Sequence, residues 1–212
     1  MQKIAILGGT FNPVHCGHIA IAETALTQFN LDQVIWVPTA NPPHKLPQDL
    51  VAFGHRAEMV RRAIAPYPSF LLSEIEAQRI TAQRITAQRN QSQRSGRSFA
   101  IDTWRDLQVL YPQPVQWFWI IGRDTFQTLT RWPGFEELAS HCIWIVAPRA
   151  AEGEEFSGKI HSKVRWEALK MTPIEISASQ IRQRCQNHLP IDAWVPPAVL
   201  TYLLDHRLYQ NG

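Results

Sequence analysis

The residues best suited to chemistry stand close together near the N-terminus, in the segment LGGTFNPVHCGH at residues 7–18. Gly8 and Gly9 follow a short apolar run, and glycine lets the backbone approach a ligand closely. The N–H groups of the helical turn that follows favour an anion, because they have no acceptor within the helix. His15 and His18 are three residues apart, so both imidazoles can point toward one phosphate and stabilise charge that shifts during its transfer. The segment therefore predicts a phosphate-binding turn in which both histidines are catalytic.

Two other interpretations of this segment are weaker. Metal binding by His15, Cys16 and His18 is disfavoured, because adjacent residues cannot share one helical face and no carboxylate is near in sequence. We therefore predict no metal ligands from the protein. A glycine pair also serves plain tight turns, and this turn is neither GxGxxG nor GxxxxGK[ST]. The pair of histidines is what favours a phosphate site.

The elements around this segment alternate between strands and helices. Short apolar runs predict strands, and apolar residues at helical spacing predict helices. The predicted strands are 3–7, 34–37, 70–72, 117–121 and 143–146, and the predicted helices are 18–29, 54–64 and 101–110. This order predicts an α/β fold, a Rossmann-like doubly wound and mostly parallel sheet with helices on both faces. Ligands of such sheets lie beyond the carboxyl ends of the strands, where the strand order reverses, and the glycine turn follows one such end.

Two stretches depart from this alternation within a predicted single domain, 1–212. Near 77–97 the chain contains QRITA twice in tandem and is rich in Gln, Arg and Ser. This insertion is interpreted as a solvated linker or a helical extension without chemistry, and a basic arm that steers anions is the alternative. The region near 177–212 is predicted to be a helical appendage, whose last helix starts at a proline and places Leu200, Leu203 and Leu204 on one face.

Composition sets the broad class. The chain has 212 residues, 45% of them hydrophobic, which is enough for one substantial core. Its formal net charge of +3, without a dense basic block, suits small phosphorylated molecules and does not demand nucleic acid. Three cysteines without a CxxC spacing argue against disulfides and zinc. We predict a cytoplasmic protein with no nucleic-acid or membrane partner, and a homo-oligomer stays open.

The opening segment resembles a known family signature. GGTFNPVHCGH is similar to the GGTFDPxHxGH signature of the nucleotidylyltransferase superfamily. Four further segments narrow the resemblance: NPPHK at 41–45, HRAEMV at 55–60, IIGRDTFQTLTRWPGFEEL at 120–138 and ISASQIR at 176–182. Together they resemble the bacterial nicotinate-nucleotide adenylyltransferases, which join nicotinate mononucleotide to ATP.

The resemblance implies an ATP site built from three motifs. The Gly122 backbone and the Asp124 carboxylate would hold the ribose hydroxyls, and Arg182 would bind the departing phosphates as a third catalytic group. From the residues alone, Asp124 could instead cap the helix that follows it, and Arg182 could be a surface charge. The implied ATP-binding residues are Gly8, Gly9, Thr10, Phe11, His15, His18, Gly122, Asp124, Ser177, Ser179 and Arg182.

The resemblance also implies a site for the mononucleotide. Trp132 would stack on the pyridine ring, with an ordinary core tryptophan as the alternative. The chain departs from the family pattern at Asn12, where the family has Asp, at Ala100, and at Pro133, which offers no N–H to the pyridine substituent. The preference between the acid and the amide substrate is therefore open. The implied substrate-binding residues are His44, Lys45, Ala100, Trp132 and Arg149.

The implied reaction needs no protein nucleophile. A mononucleotide phosphate oxygen attacks the α-phosphorus of ATP in line and expels pyrophosphate, with Mg²⁺ accompanying ATP. The alternatives are an adenylyltransferase for nicotinamide mononucleotide or for both mononucleotides, transfer to another phosphate such as phosphopantetheine, and a non-catalytic nucleotide-binding module. The missing GxGxxG and the presence of HxGH argue against a Rossmann oxidoreductase.

Overall fold

The computed structural model describes residues 1–42, 50–90, 97–148 and 164–210, with the backbone alone over 84–90. Six strands form one sheet in the order β3-β2-β1-β4-β5-β6. Their bounds are β1 Gln2–Gly9, β2 Gln33–Pro38, β3 Phe70–Leu72, β4 Val115–Gly122, β5 Cys142–Ala147 and β6 Trp166–Ala168. The pairs β1–β4, β4–β5 and β5–β6 are parallel. The predicted Rossmann-like α/β fold is confirmed.

The helices follow the predicted alternation, with additions. Helix α1 begins two residues before the predicted start, and α2 and α4 each begin one residue early. The short α6 and β6 were not among the predicted elements, whereas α5 overlaps the helix expected after Asp124. The helix bounds are α1 Cys16–Gln28, α2 Phe53–Ile64, α3 Ile75–Asn90, α4 Ala100–Leu110, α5 Arg123–Gln127, α6 Phe135–His141, α7 Ala178–Gln186 and α8 Pro197–Asp205.

The described chain divides into two compact units. The first contains 1–8, 17–35 and 99–175, and the second contains 9–16, 36–98 and 176–212. The core of the first unit is formed by the buried middles of its strands, since parallel strands covered on both faces are apolar throughout. The prediction of one domain stays a prediction.

An aromatic cluster lies in the core of the second unit. Trp36 is fully buried, with its ring centroid 5.4 Å from that of Phe11 and 5.6 Å from that of Phe70. Rings at these separations gain favourable edge and offset contacts beyond their area burial. This cluster places the segment that follows β1 against the end of β2.

The QRITA segment is helical where the structure describes it. It continues α3, so the linker interpretation is wrong over 77–90 and the helical one is confirmed. Ile80 is buried, which gives this helix an apolar anchor that the interpretation as a solvated extension did not expect. Residues 91–96 lie outside the described residues.

The C-terminal region is also helical, as predicted. The buried residues of α8 are Val199, Tyr202 and Leu203, whereas Leu204 is exposed. The prediction that Leu204 belongs to the apolar face is therefore wrong. A period of 3.6 residues places Val199 one turn before Leu203, and the buried face follows those two positions.

None of the helices in the described ranges is long and apolar enough to cross a membrane.

Candidate active site

The first unit carries two predicted ATP-binding glycines at the ends of neighbouring strands. β1 and β4 pair in parallel with Leu7 opposite Ile120, and Gly8 and Gly122 follow near the carboxyl ends. The sheet continues from β1 to β2 on one side and from β4 to β5 on the other, so the strand order reverses at this pair. This is the switch point at which parallel sheets bind ligands.

The described neighbours do not require glycine at either position. A Cβ placed on Gly8 would lie 4.0 Å from the Trp119 ring, an ordinary contact. A Cβ on Gly122 would meet no described atom within 4 Å. Both residues are exposed and neither has a positive φ. The described side chains therefore give no reason for glycine at these two positions. A ligand that approaches the backbone closely would give one.

Asp124 lies two residues beyond the end of β4. It is exposed in the first turn of α5, where the amide dipoles favour a carboxylate. The N-cap of that helix is Gly122, so the alternative of Asp124 as the capping residue is wrong. Its exposure leaves the carboxylate accessible to ligand hydroxyls.

His18 occupies the first turn of α1. It is the third residue of the helix and is half-buried. Gly17 and Ile19 on either side of it are buried, which fixes the orientation of this turn against the core of the first unit. An imidazole held on a regular helix is positioned more accurately than one on a loop.

The Trp132 ring packs partly in the core, and its stacking on a pyridine ring stays a prediction. Its ring lies edge-on to Trp119 at 6.3 Å and to Trp144 at 6.0 Å, and those two buried indoles stack at 5.9 Å. Trp132 itself is half-buried. One side of the ring therefore packs in the core while part of it stays exposed to a ligand.

The neighbours of Trp132 are tightly constrained. Pro133 follows it and is exposed. Gly134 has φ +72, and a Cβ there would lie 2.6 Å from the Ile101 side chain. Ile101 belongs to α4, whose first residue is the half-buried Ala100. Close packing of Gly134 on Ile101 thus fixes the loop of Trp132 next to the start of α4.

In the second unit, residues 9–16 form the rest of the HxGH segment, and we call them the signature turn. Phe11 adopts φ 48, a left-handed conformation that is costly for a large side chain. Its ring is 2% exposed, and a Cβ on Gly9 would lie 2.9 Å from that ring. Gly9 therefore makes room for Phe11, and the half-buried Thr10 lies between them. Because the Phe11 ring is buried, the predicted contact of Phe11 with the nucleotide would have to be made by its backbone.

His15 is the most perturbed titratable group of the signature turn. It is 7% exposed, and burial lowers its pKa from 6.5 to about 4 because the charged form loses hydration. The imidazole is thus neutral at neutral pH. It can donate one hydrogen bond to a phosphate oxygen but adds no positive charge.

The ISASQIR segment forms the start of α7. Ser177 is the N-cap, accepting from the Gln180 N–H while the Gln180 side chain accepts from the Ser177 N–H, so its hydroxyl serves a capping box. The Ser179 hydroxyl accepts from Arg182 Nη2 at 3.4 Å. Arg182 Nη1 donates to the Asn12 carbonyl oxygen at 2.9 Å. The structure therefore brings Arg182 and Ser179 together and ties Arg182 to the signature turn.

Sequence reasoning missed Arg56, a buried cation among the described residues of the second unit. Arg56 is 2% exposed, and its Nη1 donates to the carbonyl oxygens of Thr10 and Thr39, each at 2.8 Å. Its Nε donates to the Val51 carbonyl oxygen at 3.2 Å. Burial lowers its pKa, while the charge of Glu76 raises it. Arg56 thus joins the ends of β1 and β2 through backbone carbonyls, and the HRAEMV motif was the only signal for it.

Two further contacts hold the loop after β2. Glu76 accepts a hydrogen bond from the Ala40 N–H at 3.0 Å. The buried Ser98 accepts from the Asn41 N–H at 3.0 Å and donates its own N–H to the Asn41 carbonyl oxygen at 3.1 Å. The Ser98 bonds stabilise Asn41, the first residue of NPPHK, and the Glu76 bond stabilises the residue before it.

Three predicted substrate-binding residues, His44, Lys45 and Arg149, lie outside the described residues. Within the described part of the chain, no three His, Cys, Asp or Glu side chains are grouped in a way that could hold a metal ion.

The comparisons with known proteins agree on one family. Residues 6–184 match the cytidylyltransferase-like family. The probable nicotinate-nucleotide adenylyltransferase of Synechococcus sp. (strain JA-2-3B'a(2-13)) is 42% identical over 213 residues, covering 98% of this chain and 97% of the relative. The protein of the same name from Trichormus variabilis is 39% identical over 224 residues, covering 100% and 99%.

A solved structure shows the same fold. The Plasmodium falciparum nicotinic acid mononucleotide adenylyltransferase complexed with NaAD has a TM-score of 0.76 at 18% identity, over 100% of this chain and 99% of that chain. The family match covers most of the chain, and the curated relatives match it over nearly their whole length. This chain therefore belongs to the cytidylyltransferase-like family and to the nicotinate-nucleotide adenylyltransferases.

Proposed function

We propose that this protein transfers the adenylyl group of ATP to nicotinate mononucleotide, giving nicotinate adenine dinucleotide and pyrophosphate in NAD biosynthesis. The observation that carries the proposal is the pair of exposed glycines, Gly8 and Gly122, at the switch point of the sheet. The described neighbours require glycine at neither position, and both positions lie where a nucleotide bound at the switch point would contact the backbone. The full-length similarity to relatives named nicotinate-nucleotide adenylyltransferases supports the same substrates.

The reaction is a single displacement at phosphorus. An oxygen of the mononucleotide 5′-phosphate forms a bond to the α-phosphorus of ATP, and the bond from that phosphorus to the bridging oxygen of pyrophosphate breaks. The attacking oxygen is already ionised at neutral pH, so no protein base is needed. Catalysis then consists of positioning the two phosphates and stabilising the charge that moves between them.

Each predicted side chain has one task in this scheme. His18 donates a hydrogen bond to a phosphate oxygen on which charge grows. The buried, neutral His15 donates a second hydrogen bond to the phosphate. Thr10 and the backbone of Phe11 contact the same nucleotide. Arg182, with Ser177 and Ser179 near the triphosphate, neutralises the leaving pyrophosphate through its guanidinium group.

The divalent cation is proposed to arrive as part of the substrate. Phosphate oxygens are the hard ligands that Mg²⁺ prefers, and the ion keeps several waters when it binds them. When bound, it shields the negative charge of the departing pyrophosphate. Arg182 adds positive charge from the protein to the same leaving group.

The mononucleotide is proposed to bind on the partly exposed Trp132 ring. The residues proposed for its other contacts are Ala100, His44, Lys45 and Arg149. Pro133 provides no N–H at the position after Trp132, so a role for the nicotinamide substrate is the second candidate. The cytoplasmic location, the absence of a nucleic-acid partner and the oligomeric state stay predictions.

A pyrophosphate-release assay tests the proposal. ATP and MgCl₂ are mixed with nicotinate mononucleotide, nicotinamide mononucleotide, phosphopantetheine or no acceptor, and kcat/KM is compared. We expect the highest kcat/KM with nicotinate mononucleotide. Pyrophosphate release that occurs without any acceptor, or only with phosphopantetheine, would reject the assignment. A higher value with the amide would select the second candidate.

Variants connect the activity to the site. Gly122→Ala is expected to keep its thermal midpoint and to raise KM for ATP by about tenfold, because the added methyl group stands in the ligand's place. Gly54→Ala, which also meets no described atom within 4 Å, is the matched control and should leave KM unchanged.

The His18→Ala variant is expected to lower kcat by about a hundredfold, as loss of a transition-state donor does. His141→Ala, which removes an exposed imidazole at the end of α6, is its control. Equal kcat values in the two histidine variants would contradict the catalytic role.

A further inference from the structure

One contact to the signature turn comes from beyond the family match. The match ends at residue 184, whereas Tyr209 lies close to the C-terminus. The Tyr209 hydroxyl donates to Asn12 Oδ1 at 2.7 Å. We propose that Tyr209 is a positioning residue, which fixes the signature turn for adenylyl transfer through Asn12. This inference rests on the proposed function.

Asn12 is the point at which three segments meet. Its side chain is 2% exposed, and its Oδ1 also accepts from the Val51 N–H at 3.3 Å. Its backbone carbonyl oxygen accepts from Arg182 at 2.9 Å. The C-terminal tail, the segment before α2 and helix α7 are thus all attached to this one residue. Loss of one of these donors would weaken the hold on this buried amide, because water cannot readily take the donor's place there.

The tail is held in a defined conformation up to Tyr209. After α8, Arg207 adopts φ 48. The Leu208 N–H donates to the Leu203 carbonyl oxygen at 3.0 Å, and the Arg207 N–H donates to the Leu204 carbonyl oxygen at 3.1 Å. These bonds form a Schellman motif without glycine. Tyr209 itself has φ 62. Side chains persist in this left-handed region only where their surroundings determine the conformation, so the tail is docked rather than frayed.

The Tyr209 hydroxyl acts as a neutral donor. Burial raises its pKa well above the ordinary value, against the smaller effects of the Arg182 and Arg56 charges, which lower it. A protonated phenol with two guanidinium groups nearby directs its O–H toward an acceptor, and Asn12 Oδ1 is that acceptor.

The position of Asn12 in the chain connects this bond to catalysis. It follows the left-handed Phe11 and precedes His15 by three residues, and its carbonyl holds Arg182. A rotation of Asn12 would shift the histidine and the arginine together. Such shifts weaken transition-state contacts more than ground-state binding, and a displacement of about 1 Å can cost about a hundredfold in rate.

The test compares two tyrosine hydroxyls of the second unit. Tyr209→Phe removes the bond to Asn12, and the control Tyr202→Phe removes a hydroxyl that contacts His55 Nδ1 at 2.9 Å, a bond between α8 and α2 that does not include Asn12. We expect kcat to fall about tenfold in Tyr209→Phe, with KM for both substrates within about twofold of wild type, and kcat to stay unchanged in Tyr202→Phe. Equal kcat values in the two variants would overturn the proposal.

Conservative replacement of Asn12 gives a second measurement. Asn12→Asp keeps an oxygen for both donors and should retain kcat within about threefold, whereas Asn12→Ala should lose about as much as Tyr209→Phe. In the Asn12→Ala background, Tyr209→Phe should change kcat by less than about twofold, because the pair acts as one unit. Independent, multiplying effects of the two changes would overturn the role through Asn12.

Amide hydrogen exchange separates this inference from the proposed function. In Tyr209→Phe, exchange at the amides of residues 12 and 14–16 should be at least about tenfold faster than in Tyr202→Phe, whatever substrate the enzyme uses. A wild-type protein that releases no pyrophosphate with any mononucleotide would reject the proposed function. Unchanged exchange in Tyr209→Phe would reject the positioning role.

Discussion

The buried His15 makes the stability of the protein depend on pH in a way that can be calculated. Its pKa is about 4 in the folded protein against 6.5 ordinarily, because burial removes hydration from the charged form. Below pH 6.5 the unfolded chain binds a proton that the folded chain does not. Stability from this group is therefore fully present above pH 6.5 and is lost as the pH falls toward 4.

The two pKa values set the size of the effect. Each unit of difference corresponds to about 1.4 kcal/mol, so the full shift amounts to about 3 kcal/mol. Between pH 7 and pH 5 the linkage relation gives a loss of about 2 kcal/mol from His15 alone. This is a large fraction of the 5–15 kcal/mol that is typical of natural domains.

Urea unfolding followed by tryptophan fluorescence measures this loss, and the chain has eight tryptophans. The free energy of unfolding is determined at pH 7 and pH 5 for wild type and for His15→Asn, which keeps an N–H donor and does not titrate. Contributions from the carboxylates cancel when the two pH differences are subtracted. We expect the wild type to lose about 2 kcal/mol more than the variant.

Equal losses in wild type and His15→Asn would refute the reasoning. The ring of His15 should also titrate near pH 4 in a histidine NMR spectrum of the folded protein. A midpoint near 6.5 would mean that the imidazole is hydrated, and the description of His15 as a neutral donor to phosphate would fail with it.

Three further predictions concern the residues that shape the site. Gly134→Ala should lower the free energy of unfolding by about 2 kcal/mol or more, because its φ of +72 and the close Ile101 side chain both oppose a Cβ; a stability equal to wild type would contradict this. Ser177→Ala should lower the free energy of unfolding by about 1 kcal/mol through loss of the capping box, and Ser177→Asp should restore most of this loss when both variants are compared by thermal unfolding. Arg56→Lys should cost about 3 kcal/mol, since an ammonium group cannot reproduce the planar fork toward the Thr10 and Thr39 carbonyl oxygens, and a urea midpoint unchanged from wild type would argue that the fork is dispensable.

Much of the fold could be predicted from the sequence because its strands are continuous apolar runs. β2 and β5 are buried almost throughout, and such runs between helical patterns are typical of parallel sheets. β6 was not predicted because its three residues do not form an apolar run, and two of them, Glu167 and Ala168, are exposed. Helix α6 escaped because seven residues are too few to show a helical period.

The candidate site also has parts that the sequence predicts and parts that it does not. The glycines at the strand ends and the capped start of α7 depend on local sequence, and the motifs located them. Arg56 could not be assigned a role in advance, because an arginine in an amphipathic helix normally faces solvent. Its function depends on carbonyl groups from the segments after β1 and β2, which only the folded chain brings within reach.

The departure at residue 12 shows how a contact distant in sequence changes the meaning of a motif. Where the family signature has Asp, this chain has Asn. Among the described contacts, Oδ1 accepts from the Val51 N–H and the Tyr209 O–H, which are both neutral, and Arg182 donates to the backbone carbonyl oxygen. An amide oxygen satisfies neutral donors without the cost of burying a charge. Residue 12 therefore acts through an acceptor oxygen and its backbone, and a carboxylate is not needed for either.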